Sequence, residues 1–228
     1  MIDLAEEINK ENQVKSKKRV EDHGEVFTSE REVNAMLDLV IHETERIDSK
    51  FLEPACGTGN FLVEILKRKL TVVERKYKER QLQYEQYAVI AVSSIYGIDI
   101  LQDNVNECRE RLFQIIDNQY NTLYGSICKA NFKKTVRFIL SRNILWGDAL
   151  NLKTPDEKAE AIIFSEWSAV DFDVKRRDFM LAFLLNKSHQ MEMFSDENKP
   201  TYIPEPVKEY PLTHFLRLAD EIDYQLQP

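Results

Sequence analysis

The stretch from Phe51 to Leu66, FLEPACGTGNFLVEIL, constrains the fold more than any other part of this sequence. A short apolar lead runs into Glu-Pro, then two glycines one residue apart, then an apolar helical pattern. Glycine at such a place lets the backbone turn tightly and approach a ligand closely. A strand feeding a glycine turn and then a helix is a unit of α/β folds, whose ligands sit beyond the carboxyl ends of the strands.

The rest of the chain supplies partners for that unit. GEVFTSEREVNAMLDLVIHE, residues 24–43, begins as a loop and becomes a helix. Ser29 and Glu32 have capping-box spacing there, and Val33, Met36, Leu37, Val40 and Ile41 fall on one helical face. The long run after Gly59 reads as two helices with a charged break near ERKYKER, residues 74–80. SSIYGIDIL reads as a strand ending in Asp99, DNVNECRERLFQIIDNQY and KKTVRFILSR as helices, and NILWGDAL as a strand ending in Gly-Asp. AEAIIFSEW reads as a strand ending in an aromatic, and KRRDFMLAFLLN as an amphipathic helix. This order predicts a mostly parallel sheet flanked by helices. Residues 1–22 read as a charged helical arm, 23–190 as the ligand-binding domain, and 191–228 as a proline-rich extended tail.

Composition narrows the function classes. Lys plus Arg total 31 against 39 Asp plus Glu, a net charge of -8, so bulk charge does not hold nucleic acid. Three scattered cysteines do not make a disulfide framework and fit a reducing compartment. No apolar leader opens the chain, and no run of about 18 apolar residues occurs. The expectation is a soluble cytoplasmic protein with no membrane span and no metal, since the four histidines have no ligand spacing.

The ligand can be narrowed further. Leu62 stands where a dinucleotide fingerprint has its third glycine, and Asp99 comes much later than the roughly 20-residue spacing of that fingerprint. S-adenosylmethionine fits better, because it carries no pyrophosphate. It needs close backbone approach to its methionine part, a carboxylate for the ribose hydroxyls and a polar group for the adenine amine. Gly57, Gly59, Asp99 and Asp148 can supply these from the carboxyl ends of three strands. Taken singly, Asp99 also reads as a helix N-cap and Asp148 as part of a Gly-Asp turn.

GEVFTSEREVNAML, FLEPACGTGNFLVEIL, IYGIDIL and NILWGDAL, in that order, resemble four successive motifs of adenine-specific (N6) DNA methyltransferases of restriction-modification systems. The resemblance implies a class I methyltransferase-like, Rossmann-like fold, a three-layer α/β sandwich with a mostly parallel sheet; from the stretch Ser168 to Pro228 that remains after the catalytic strand, the expectation is an incomplete sheet. It implies S-adenosyl-L-methionine as cofactor and DNA as partner. By position it gives Phe27 and Thr28 the methionine end, Glu53 the amino-acid portion, and Ala55, Gly57 and Gly59 the backbone lining. It gives Asp99 the ribose hydroxyls, Ile100 the adenine face, Asp148 the adenine amine, and Phe61 a place in the pocket wall.

The next motif of that family, Asn or Asp followed by two prolines and an aromatic, accepts the protons of the adenine amine and stacks the flipped base. This sequence has no adjacent prolines, and none of its prolines follows Asn or Asp. At the corresponding strand stand Ser165, Glu166 and Trp167, and two readings follow. In one they form a divergent catalytic loop, Glu166 accepting from the amine and Trp167 stacking. In the other methyl transfer is lost, Trp167 is a packing residue, and the chain is a cofactor-binding scaffold or partner subunit. Lys175, Arg176 and Arg177 are candidate phosphate contacts. Sequence-specific recognition of DNA would call for a specificity subunit, another partner chain or a homo-oligomer.

Overall fold

A computed structural model of the 228-residue chain describes residues 14–185, 190–194 and 200–220. Three short helices come first: α1 (Lys17–His23), α2 (Glu30–Asp38) and α3 (Ile41–Thr44). Then follow β1 (Phe51–Glu53), α4 (Asn60–Tyr77), α5 (Gln81–Ser93), β2 (Ile95–Asp99), α6 (Gln102–Tyr124), α7 (Ala130–Asn143) and β3 (Ile144–Trp146). The three strands form a parallel sheet in the order β1-β2-β3, with Glu53 opposite Gly97 and Asp99 opposite Trp146. Each crossover is a pair of helices, as parallel neighbours require a long connection. The chain is therefore an α/β protein of Rossmann-like character with a small parallel sheet.

The helices form where their apolar residues recur at helical spacing. Leu62, Leu66, Leu70 and Val73 of α4, and Val105, Cys108, Leu112 and Ile116 of α6, are buried together. Strand β2 is buried along its whole length, and its residues alternate between two cores. Ile95 joins the helix side, whereas Tyr96 and Ile98 pack with Ile162, Phe164 and Leu181 on the other. At the start of α2, Ser29 and Glu32 close the expected capping box. Val33 and Leu37 are buried on that helix, while Met36 within it, and Val40 and Ile41 beyond its end at Asp38, stay exposed.

The second half differs from the expected pattern. Residues 175–180 are strand, not helix: β4 (Ile163–Val170) and β5 (Asp173–Met180) form an antiparallel hairpin, and only α8 (Leu181–Leu185) is helical. The inward-facing positions of β5 include Arg176 and Asp178, both buried. Arg176 donates to both oxygens of Asp178, at 2.9 and 2.8 Å, and Ser165 and Tyr210 donate to the same carboxylate. Charges buried as a pair erase the apolar alternation by which a strand is recognised.

Strands β6 (Gln190–Phe194) and β7 (Pro200–Pro204) form a ribbon, and β8 (Lys208–Glu209) and β9 (Thr213–His214) pair with β5. The proline-rich segment then returns to the core. Phe215 and Leu218 of the final 3₁₀ turn are buried, and Thr135 of α7 donates to the Phe215 carbonyl at 2.8 Å. Among the described residues, no helix is long and apolar enough to cross a membrane.

One buried cation pins the amino ends of the sheet. Lys69 of α4 donates to the carbonyls of Ile47 and Ser49, just before β1, and to Ser94 Oγ, just before β2. Its ammonium lies 5.2 Å from the Phe51 ring centre. Burial pulls its pKa down from 10.5 to about 7. The unfolded chain keeps that proton into the ordinary lysine range, so the cost of burying the charge is full below pH 7 and shrinks as pH rises. Lys69→Met is expected to cost about 1–3 kcal/mol near pH 9, from carbonyls left without a donor. Urea denaturation should show wild type gaining on the variant as pH rises from about 7 to about 10.

Candidate functional site

A cavity of about 560 Å³ opens at the carboxyl ends of β1, β2 and β3. Four segments wall it: the loop 24–28, the turn after β1, the end of β2 with the first turn of α6, and the turn after β3. Strand ends in a parallel sheet converge there, and helix amino termini face the same space.

The turn after β1 is held from several sides. Cys56 N donates to Ile98 O at 2.8 Å, and Gly59 N to Cys56 O at 2.8 Å. Both glycines have positive φ, 53° at Gly57 and 91° at Gly59. A Cβ on Gly57 would stand 3.0 Å from the Phe27 ring, which closes the cavity over that residue. A Cβ on Gly59 would stand 2.5 Å from Cys108 Sγ. Gly59 therefore lets α4 and α6 approach beneath the turn, and it does not line the cavity. Arg111 of α6 holds the same turn through the carbonyl and hydroxyl of Thr58 and through Asn60 Oδ1, at 2.7–2.9 Å. The neighbouring Cys108 thiol and burial push the Cys56 thiol far up, which keeps it protonated and unreactive.

Asp99 is the central carboxylate. Its Oδ2 accepts from Gly57 N at 2.9 Å, and its Oδ1 accepts from Leu101 N at 2.8 Å and from Asn104 Nδ2 at 3.2 Å. It thus closes a turn just before α6 and also fastens the glycine turn. A carboxylate has about four acceptor positions, so one remains, on Oδ2. Asp148 similarly accepts from Leu150 N and Asn151 N through Oδ1, and from the Asn151 amide through Oδ2. These hydrogen bonds hold its pKa below the usual carboxylate value. Glu53 is the least engaged, with only a long 3.4 Å contact from Ala55 N.

Phe27, Thr28, Glu53, Ala55, Gly57, Phe61, Asp99, Ile100 and Asp148 all line this one cavity. Sequence reasoning missed Glu25, Asn60 and Asn104, which line it too. Glu25 sits inside the quoted motif two residues before Phe27, and Asn104 faces Asp99 from the first turn of α6, so both had a positional signal. Among the described residues the cavity is lined by four carboxylates, Glu25, Glu53, Asp99 and Asp148, and by no lysine or arginine. Glu25 is paired with Arg19, and the other three carboxylates favour a ligand that carries positive charge and disfavour one that carries phosphates.

The proposed catalytic trio lies elsewhere. Ser165, Glu166 and Trp167 are central residues of β4, not the loop after a strand. Ser165 is buried and donates to Asp178. Trp167 is buried in the helix-side core, where its Nε1 donates to Asn143 Oδ1 at 2.8 Å and its ring meets Phe138 edge-on. An indole packed this way has no free face for a base. Glu166 accepts from Lys50 at 2.7 Å and pairs with Arg177 at 2.9 Å, at the amino end of β1 and away from the cavity. The expected phosphate contacts are internally engaged as well: Lys175 with Glu209, Arg176 with Asp178, Arg177 with Glu166.

Residues 13–160 match the family model described as MmeI, DNA-methyltransferase domain. No curated protein and no solved structure matches the chain. The matched span contains every segment that walls the cavity and ends before β4.

Two substitutions test this geometry. Gly59→Ala is expected to cost about 1–3 kcal/mol through backbone strain and the clash with Cys108. Adding Cys108→Ala should return only the part due to the clash, since φ stays positive. Trp167→Ala should cost about 3–5 kcal/mol in urea denaturation, the range for an aromatic removed from a core. A stacking role would instead leave stability unchanged.

Proposed function

The chain belongs to the MmeI DNA-methyltransferase family, a family of restriction-modification systems, and from that premise we propose that it binds S-adenosylmethionine in the cavity above the glycine turn for methylation of the N6 amine of adenine in DNA. The observation that carries the cofactor reading is the lining. Segments from four separate motifs meet around one cavity of about 560 Å³ with carboxylates on several sides.

The residues fit this ligand on charge and on hydrogen-bonding capacity. S-adenosylmethionine carries an ammonium and a sulfonium, and it supplies an electrophilic methyl group on that sulfonium. Glu53, the least engaged carboxylate, is available to the ammonium, and Thr28 to the cofactor's own carboxylate. Asp99 keeps one acceptor position for a ribose hydroxyl, and Asp148 keeps one for the adenine amine. Ile100 and Phe61 offer apolar surface to the adenine ring. Gly57 lets the Phe27 ring close over the turn, since a Cβ there would stand 3.0 Å from that ring.

A second reading, a cofactor-binding scaffold or partner subunit, is favoured by the burial of Ser165 and Trp167 and by the ion pairs that engage Glu166. In that reading the groups that orient the acceptor amine come from outside this chain's described residues, and DNA recognition comes with them.

Calorimetry with S-adenosylmethionine, beside transfer of labelled methyl to unmethylated DNA, separates the readings. Binding by wild type and a loss of at least about tenfold in Asp99→Ala are expected, on the scale of a lost hydrogen bond to a charged group. Label recovered as N6-methyladenine after digestion to nucleosides supports the enzyme. Binding without transfer supports the scaffold, and absence of binding overturns both.

A further inference from the structure

The segment that forms the outer wall of the cavity is attached by ions. Among residues 14–22 and 24–28 none is fully buried, although Val20 and Phe27 are half-buried, so apolar burial alone does not hold this arm in place. Its side chains also reach the first two turns of α6. Lys15 Nζ donates to Glu107 at 2.7 Å and to Asn104 Oδ1 at 3.0 Å. Arg19 donates to both oxygens of Glu25, at 2.6 and 2.8 Å. It also donates to Asp103 at 2.6 Å and to Asn104 Oδ1 at 3.0 Å.

Asn104 is the hub of this arrangement. It is buried, and its amide donates to Asp99 Oδ1 and, at 2.6 Å, to Glu25 Oε1 while its oxygen accepts from the two arm cations. One side chain thus joins the arm to the carboxylate that fastens the glycine turn. Immediately beyond α1, Gly24 takes a left-handed conformation at φ 65° and turns the chain so that residues 25–28 become the cavity wall. Burial pushes the Glu25 carboxyl up, but hydrogen bonds from Arg19 and Asn104 outweigh it and hold the group below its ordinary value. Glu25 therefore stays ionised against the arginine.

We infer that residues 15–25 form an ionic latch on the cavity, in which Arg19 and Asn104 are positioning residues that hold the 25–28 wall and the Asp99 carboxylate in place. That the latch also sets how tightly the ligand is held rests on the cofactor reading above; the latch itself does not. A charge-assisted network of this kind is partly shielded from solvent, with the Arg19 side chain 23% and the Glu25 side chain 8% exposed. It is stronger than a surface pair and still weakened by salt.

The test uses the full chain in two measurements. Hydrogen exchange read by mass spectrometry follows the amides of residues 25–28 and of Gly57, with no ligand added. In wild type, raising NaCl from about 50 to about 500 mM should speed their exchange severalfold, because screening shortens. Arg19→Met should exchange fast at both concentrations, Arg19→Lys in between, and Lys133→Met, which removes a distant ion pair with Asp117, like wild type. Calorimetry with S-adenosylmethionine should show affinity about five- to tenfold weaker in Arg19→Met and in Asn104→Ala, with the salt dependence lost in the former. Exchange and salt response identical to wild type in Arg19→Met would overturn the latch. Absence of cofactor binding by wild type, with the exchange differences present, would overturn the cofactor reading and leave the latch standing.

Discussion

A carboxylate at the carboxyl end of a fully buried strand must find donors, and the donors that Asp99 finds organise the site. The amide of Gly57 brings the turn after β1 across to β2, and the amide of Leu101 closes the turn that leads into α6. Asn104 ties in the amino-terminal arm. Loss of this one group would leave the Gly57 and Leu101 amides without their acceptor, cost Asn104 one of its two acceptors, and loosen three segments that wall the cavity. The turn could not come so close without glycine at 57 and 59, where φ is positive and neighbouring atoms take the space of a side chain.

The two ends of the small parallel sheet are chemically opposite. At the amino end the buried Lys69 gathers two carbonyls from the segment leading into β1 and the Ser94 hydroxyl just before β2. At the carboxyl end carboxylates gather amides and face the cavity. The antiparallel hairpin on the far face of β2 completes burial of Tyr96 and Ile98 and keeps its own charges paired. None of its residues lines the cavity at the strand ends.

Much of the first half was legible because its residues obey local rules. The capping box at Ser29 and Glu32 and the glycine turn before α4 are each specified within a few residues. The charged break between α4 and α5, at Lys78–Arg80, is equally local. The hairpin was not legible, because Arg176 and Asp178 occupy buried positions where an apolar pattern is the usual sign of a strand. Trp167 misled for a related reason. An aromatic after an apolar run looks available for stacking until the position of Asn143, its hydrogen-bond partner from α7, is known. Met36, exposed although its spacing matched Val33 and Leu37, shows that periodicity marks a face without saying what covers it.

By itself the sequence determined the α/β class, the helix and strand order as far as β3, and the residue types that converge at the strand ends. These depend on turn chemistry, capping and periodicity, which act over a few residues. Only the tertiary structure decided which carboxylates still had an acceptor position to offer. It alone showed that Gly59 serves helix packing rather than the cavity, that Ser165, Glu166 and Trp167 belong to a packed hairpin, and that Asn104 joins the arm to Asp99. Those facts depend on which groups distant in the chain satisfy one another's hydrogen bonds, and no local pattern encodes such a pairing.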